Sequence, residues 1–96
     1  MTVVIRPAAA ADIEDAYVWY RERRTELGYE FLDVVRGAIM RIIENPQGYP
    51  ILHRNTHRIR LQRFPYALFY RVQEQTVVVV ACMHGRRDPR RWKFRR

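Results

Sequence analysis

Residues 58–89 read RIRLQRFPYALFYRVQEQTVVVVACMHGRRDP, and this stretch decides the fold. Its first run, Arg58-Ile59-Arg60-Leu61-Gln62-Arg63, alternates polar and apolar side chains, the period of a strand with one face against a core. Phe64-Pro65-Tyr66 marks a turn, a second strand is expected from about Ala67 to Val72, and Glu74-Gln75 makes a tight connection into a third. That third run, Thr76 to Met83, is almost uniformly apolar, which predicts a central strand buried on both faces. Alternation also puts Arg58 and Arg60 side by side on one face.

Upstream, residues 45–56 (NPQGYPILHRNT) are turn formers and polar groups around Tyr49 and Ile51, and read as a loop. Before them come two helical patterns. Ile13, Ala16, Tyr17 and Tyr20 recur at helical period behind Pro7, which is compatible with a helix start. Asp12, Glu14 and Asp15 near the beginning and Arg21, Arg23 and Arg24 near the end complement the helix dipole, and Leu27-Gly28 reads as its stop. Phe31, Val34, Val35, Ala38, Ile39, Ile42 and Ile43 form a second pattern that ends before Asn45-Pro46, because the residue ahead of a proline resists the helical conformation. So short a link folds the pair into an antiparallel hairpin. With Val3-Val4-Ile5 as an opening strand, the order is β-α-α-β-β-β. The expected fold is α+β, an N-terminal strand and helical hairpin packed on a small antiparallel sheet. Residues 1–96 make a single domain, with 85–96 as a basic C-terminal tail.

Charge is divided unevenly along the chain. Residues 1–49 hold six arginines against eight carboxylates, whereas residues 50–96 hold eleven arginines and Lys93 against only Glu74 and Asp88. The net charge of +8 therefore belongs to the sheet-forming half, and a basic face implies an anionic partner. Seventeen of the eighteen basic residues are arginine, whose fork suits phosphate and carboxylate; a GC-rich genome produces the same bias, so position is the better argument. The lone Cys82 excludes an internal disulfide, reads as a small buried hydrophobe, and fits a reducing cytoplasm. The chain runs directly into a strand without a secretory leader, and its longest apolar run is too short to span a bilayer as a helix, so no membrane association is expected.

Chemistry has few places to reside. His53 and His57 lie in a loop without a thiol or carboxylate, so neither a metal nor any other cofactor is expected. Glycine-rich phosphate loops and Ser/His/Asp patterns are missing, and the carboxylates sit on predicted helix surfaces. What remains is Arg58, Arg60, Arg86 and Arg87, with His84 at a strand end and Trp92 in the tail. Guanidinium groups beside an aromatic plane are what a nucleic-acid-facing surface uses; solvated arginines guarding a sheet edge are the plain alternative. His84 is equally a general acid or base and a histidine fixing the turn at Gly85.

In order and spacing, the helical hairpin, Asn45-Pro46, the basic strand, FPYALFYRV and a last strand entering HGRRDPRRW resemble the RelE/ParE superfamily of type II toxin–antitoxin toxins. The resemblance runs from Ala11 to Trp92 and implies a small bacterial or archaeal toxin held inactive by an antitoxin encoded beside it. RelE-like members cut ribosome-bound messenger RNA without a metal; ParE-like members poison DNA gyrase. Arg58 and Arg60 stand where RelE-like nucleases carry a basic pair, and Arg87 matches a further arginine. The arginine following the turn aromatic in those nucleases falls at Ala67, however, and their C-terminal tyrosine is replaced by Trp92, which has no hydroxyl. His84 matches a histidine that other nuclease members use. The AADIEDAYVWY…LGYEFLDVV…NPQGYP half is closer to ParE-like chains, so the resemblance implies a non-enzymatic gyrase toxin, with a ribosome-dependent ribonuclease as the alternative. The expected partner is an acidic antitoxin segment that folds against Tyr17, Trp19 and Tyr20 and crosses the basic sheet, giving a hetero-oligomer.

Overall fold

A computed structural model describes residues 1–85, 90–93 and 95, the side chains of Arg90 and Arg91 excepted. Strand β1 (Thr2–Ile5) leads into helices α1 (Pro7–Arg23) and α2 (Thr25–Glu44), then strands β2 (Ile51–His53), β3 (Thr56–Arg60), β4 (Tyr66–Gln73) and β5 (Thr76–His84), and a single turn, α3 (Arg90–Lys93). The five strands form one sheet in the order β1-β5-β4-β3-β2.

The helical hairpin and the α+β class are as the sequence predicts. The sheet is mixed, because β1 lies parallel to β5, with Val3 opposite Val77 and Ile5 opposite Val79. The intervening hairpin supplies the long crossover that parallel pairing requires. Residues 51–53, expected in a loop, pair with β3 as a short edge strand. Arg54 and Asn55, which join the two, have φ of 46° and 61°. Positive φ at both central residues is what a two-residue hairpin turn needs, and it matches the twist of the flanking strands.

Helix α1 ends earlier than Leu27-Gly28. Arg24 alone breaks the helix, with an extended backbone at φ −165°, and its N–H donates to Tyr20 O at 3.0 Å. Gly28 instead lies within α2 where the two helices touch: a Cβ there would stand 3.0 Å from both Arg21 Cβ and Tyr17 Cε1. Since α1 begins at Pro7, Asp12 falls beyond the first turn, and so does not act on the dipole there. At the other end α2 stops at Glu44, with Asn45 as its cap, as the following proline demands.

Two apolar layers hold the molecule together. On the hairpin side, Ala16, Tyr20, Phe31, Val35, Ala38 and Ile42 meet Ile59, Leu68, Tyr70, Val77 and Val79. An aromatic knot ties this layer: Tyr20 lies 5.4 Å from Phe31 and 4.8 Å from Phe64, centroid to centroid. On the opposite face, Ala67, Phe69, Val78, Val80, Met83 and Trp92 form a smaller cluster. Residues Val77 to Met83 are accordingly all buried, between the hairpin and α3. A β-bulge between Phe69 and Tyr70 leaves Val80 as the extra residue of β5.

Candidate functional site

Cross-strand register assembles the face away from the hairpin. Arg58 pairs with Phe69 and Arg60 with Ala67. Next along, Ala67 pairs with Met83 and Phe69 with Ala81. Residues directly opposite one another share a face, so the two arginines stand beside an apolar row. Together with Leu52, Trp92 and His84 they line a groove of about 490 Å³. Arg60 is exposed and Arg58 partly so, which places guanidinium groups on one flank of an apolar floor. Such a site suits a ligand with an apolar body and anionic substituents.

His84 reaches the groove from its rim. It pairs with Tyr66 at the last rung of the β4–β5 ladder, and the two rings meet edge-on at 5.3 Å. Counting along the strand, His84 shares the hairpin side with Cys82 while Arg58 and Arg60 face away, so only its position at the strand end lets it touch both. It also lines a second depression with Asp12, Asp15 and Trp19. Arg86 and Arg87 lie outside the described residues.

Trp92 does not supply the exposed stacking plane expected of it. Its ring is 5% exposed and stacks on Phe69 at 4.4 Å between centroids and 19° between planes. The apolar floor of the sheet needs a cover, and α3 provides one through this side chain. The tail is therefore anchored at this point, and the little of Trp92 that stays exposed lines the groove.

The three aromatics assigned to antitoxin contact separate by burial. Tyr20 is a core residue, 9% exposed, and burial together with nearby Tyr66 and Cys82 pushes its phenol pKa up. Tyr17 is half-buried, with the Arg21 guanidinium 5.2 Å from its ring centre. Trp19 is 48% exposed, and Arg23 covers its ring at 3.1 Å while donating from Nη1 to the Trp19 carbonyl. Only Trp19 and part of Tyr17 present surface.

The two histidines expected in a loop lie in β2 and β3, and they part company. His57 is buried, stacked on Tyr70 at 12°, with Nδ1 2.9 Å from Tyr49 O. Tyr70 Oη donates to Pro46 O at 2.7 Å, so this pair pins the 45–50 connection to the sheet. His53 sits near Trp92; burial and then the charges of Lys93, Arg54 and Arg71 lower its pKa. Among the described residues no three His, Cys, Asp or Glu side chains come together as a metal-holding group. Nor is any described helix long and apolar enough to cross a membrane.

A family model described as the ParE toxin of the type II toxin–antitoxin system parDE matches residues 3–89. The chain belongs to the ParE toxin family. The solved structure titled "Chromosomal ParDE TA system from P. aeruginosa" superposes with a TM-score of 0.65 at 19% identity, covering 88% of this chain and 95% of that one. This toxin therefore shares that structure's fold. No curated protein matches it.

Within this ParE toxin two apolar members of the groove, Leu52 and Phe69, went unforeseen. Leu52 was hidden because three residues are too few for alternation to show, and Phe69 because its neighbours depend on cross-strand register. Asp12 and Arg95, which join α1 to the tail, carry no local signal of their pairing.

Proposed function

We propose that this ParE toxin inhibits DNA gyrase and is neutralised by a cognate acidic antitoxin, both acting in the cytoplasm. The family match over residues 3–89 carries this reading. The groove supports it: its floor at Ala67 is buried and apolar, where RelE-like nucleases place an arginine, and Trp92 is packed on Phe69 without a hydroxyl to offer. Losing one preorganised donor to a transition-state oxyanion costs roughly 3–4 kcal/mol, a large handicap for cleavage that relies on side chains alone. Gyrase inhibition asks only for a surface. Arg58 and Arg60, with Arg86 and Arg87 following in the sequence, supply one of positive sign.

The antitoxin is expected to carry negative charge and an apolar stripe, because the chain stands at +8 and exposes Trp19 beside Arg21 and Arg23. It seats on Trp19 and Tyr17 and runs on toward the basic face, forming a hetero-oligomer with the toxin.

One observation favours a second reading, cleavage of ribosome-bound messenger RNA: Arg58, Arg60 and His84 line the same groove. There His84 would move the proton while Arg58, Arg60 and Arg87 neutralise phosphate.

Expression from a tightly repressed promoter separates the two. The proposal predicts growth arrest with relaxed plasmid and intact messages, relieved by co-expressing the short acidic protein encoded beside the gene. Cut messages on unaffected plasmid supercoiling, with cutting abolished by His84→Ala or Arg87→Ala, would establish the ribonuclease instead. Harmless expression without any partner would reject both.

A further inference from the structure

Asp12 and Arg95 are 83 positions apart, yet they meet where the sheet loses its outermost strand. Strand β1 ends at Ile5 opposite Val79, and Arg6 N–H adds one more bond to Val79 O at 2.9 Å. Beyond that point, among the described residues, β5 has no strand beside it on this side. A buried strand edge must still satisfy its amides and carbonyls. Here Cys82 N–H donates to Asp12 Oδ2 at 3.0 Å, and Arg95 Nη1 donates to Val80 O at 3.3 Å. The two side chains also bind each other as a fork, Nη1 to Oδ2 and Nη2 to Oδ1, the second at 3.3 Å.

The pair is sheltered, with 25% of the Arg95 side chain and 16% of the Asp12 side chain exposed, so salt screens it little. It is also tied onward. The Arg95 carbonyl accepts from Arg71 Nη2 at 2.8 Å, and Arg71 Nε donates to Thr56 Oγ1 at 3.1 Å. Thr56 is fully buried. Arg95 N–H in turn donates to Trp92 O at 3.2 Å, so Arg95 and Trp92 belong to one closed turn. Holding Arg95 therefore helps to hold the residue whose indole lines the groove.

We propose that Asp12 is a positioning residue: through Arg95 it holds the Trp92 ring on Phe69 and so sets the shape of the cationic groove. Without its charge, the closed turn would keep the Arg71 contact, the bond to Val80 O and the stack of Trp92 on Phe69, but lose the ion pair that ties it to α1. The tail would then leave the sheet for part of the time, exposing Phe69 and opening the wall. This placement of Trp92 rests on the contacts above; its consequence for toxicity rests also on the groove being the surface that meets the target.

The test uses the full chain in a Trp19→Phe background, which leaves Trp92 as the only tryptophan. Asp12→Asn keeps an acceptor for Cys82 N–H and removes only the charge; Arg95→Gln removes the guanidinium from the other side. Both are expected to shift Trp92 emission to the red and to speed trypsin cleavage after Lys93 roughly tenfold, as loss of a charge-assisted bond implies. The double variant should do no more than Arg95→Gln alone, since that change already removes the link to Asp12. A purely structural Asp12 would lower the melting temperature in Asp12→Asn while Arg95→Gln left the emission unmoved, and that overturns the proposal. So would effects that simply add. Trp92 released with gyrase inhibition unchanged would uphold the positioning role and reject the groove as the target surface.

Discussion

Cys82 lies in β5 with 2% of its surface exposed, and its environment makes a testable difference to stability. Burial, reinforced by the Asp12 carboxylate, pushes its thiol pKa from the ordinary 9.0 to about 12. Tyr70, buried beside Tyr49, is likewise pushed from 10.0 to about 12. Both groups are neutral when protonated, so a raised pKa favours the folded form while the proton stays on. Above about pH 9 the unfolded chain ionises first and gains free energy that the folded chain cannot, so stability falls as pH rises towards 12. Denaturant titrations across this window should show a falling midpoint, with a shallower slope in Cys82→Ala. Trp92 makes the second residue-scale prediction. Truncating a ring this deeply buried creates a cavity, so Trp92→Ala should cost about 3–5 kcal/mol in urea unfolding. A ring merely awaiting a nucleic acid would cost almost nothing. The sequence signalled Cys82 correctly, because a cysteine amid valines has few other roles. It misdirected on Trp92, since an arginine-rich neighbourhood looks the same whether the indole between the arginines points outward or inward.

At the level of elements, the two glycines of α2 have opposite parts. Gly28 is where the hairpin closes, with Arg21 Cα only 3.2 Å from a Cβ placed there. Gly28→Val should wedge the helices apart and destabilise by about 1–3 kcal/mol. Gly37 has nothing within 4 Å of its added Cβ, and Gly37→Ala should stabilise by up to about 1 kcal/mol through helix propensity alone. Thermal unfolding of the two variants checks both signs at once. These helices were legible from apolar period and from Asn45-Pro46, since both signals are local. Their boundary was not: Leu27-Gly28 offers the chemistry of a helix end, but here glycine serves a tertiary contact that period cannot reveal. The same holds for the sheet. The alternation of β3 and the apolar run of β5 could be seen at once, whereas the parallel pairing of β1 and the three-residue β2 depend on partners distant in sequence.

The whole molecule is governed by its charge. At +8, with the excess in the sheet-forming half, binding of an acidic partner should weaken as salt rises. Calorimetric titration of the purified antitoxin at increasing ionic strength is expected to show a steady loss of affinity; a flat profile would mean that apolar contacts at Trp19 carry the complex. The division of charge could be counted from the sequence, and the register turns it into a place by setting Arg58 and Arg60 beside Phe69 and Ala67. That place is the centre of the functional account, and gyrase tests it most directly. Purified toxin added to gyrase and relaxed plasmid should suppress supercoiling in proportion to dose, and Arg58→Glu/Arg60→Glu should weaken that suppression while folding normally. Supercoiling that proceeds undisturbed under excess wild-type toxin, or that is suppressed equally by the charge-reversed variant, would contradict the account.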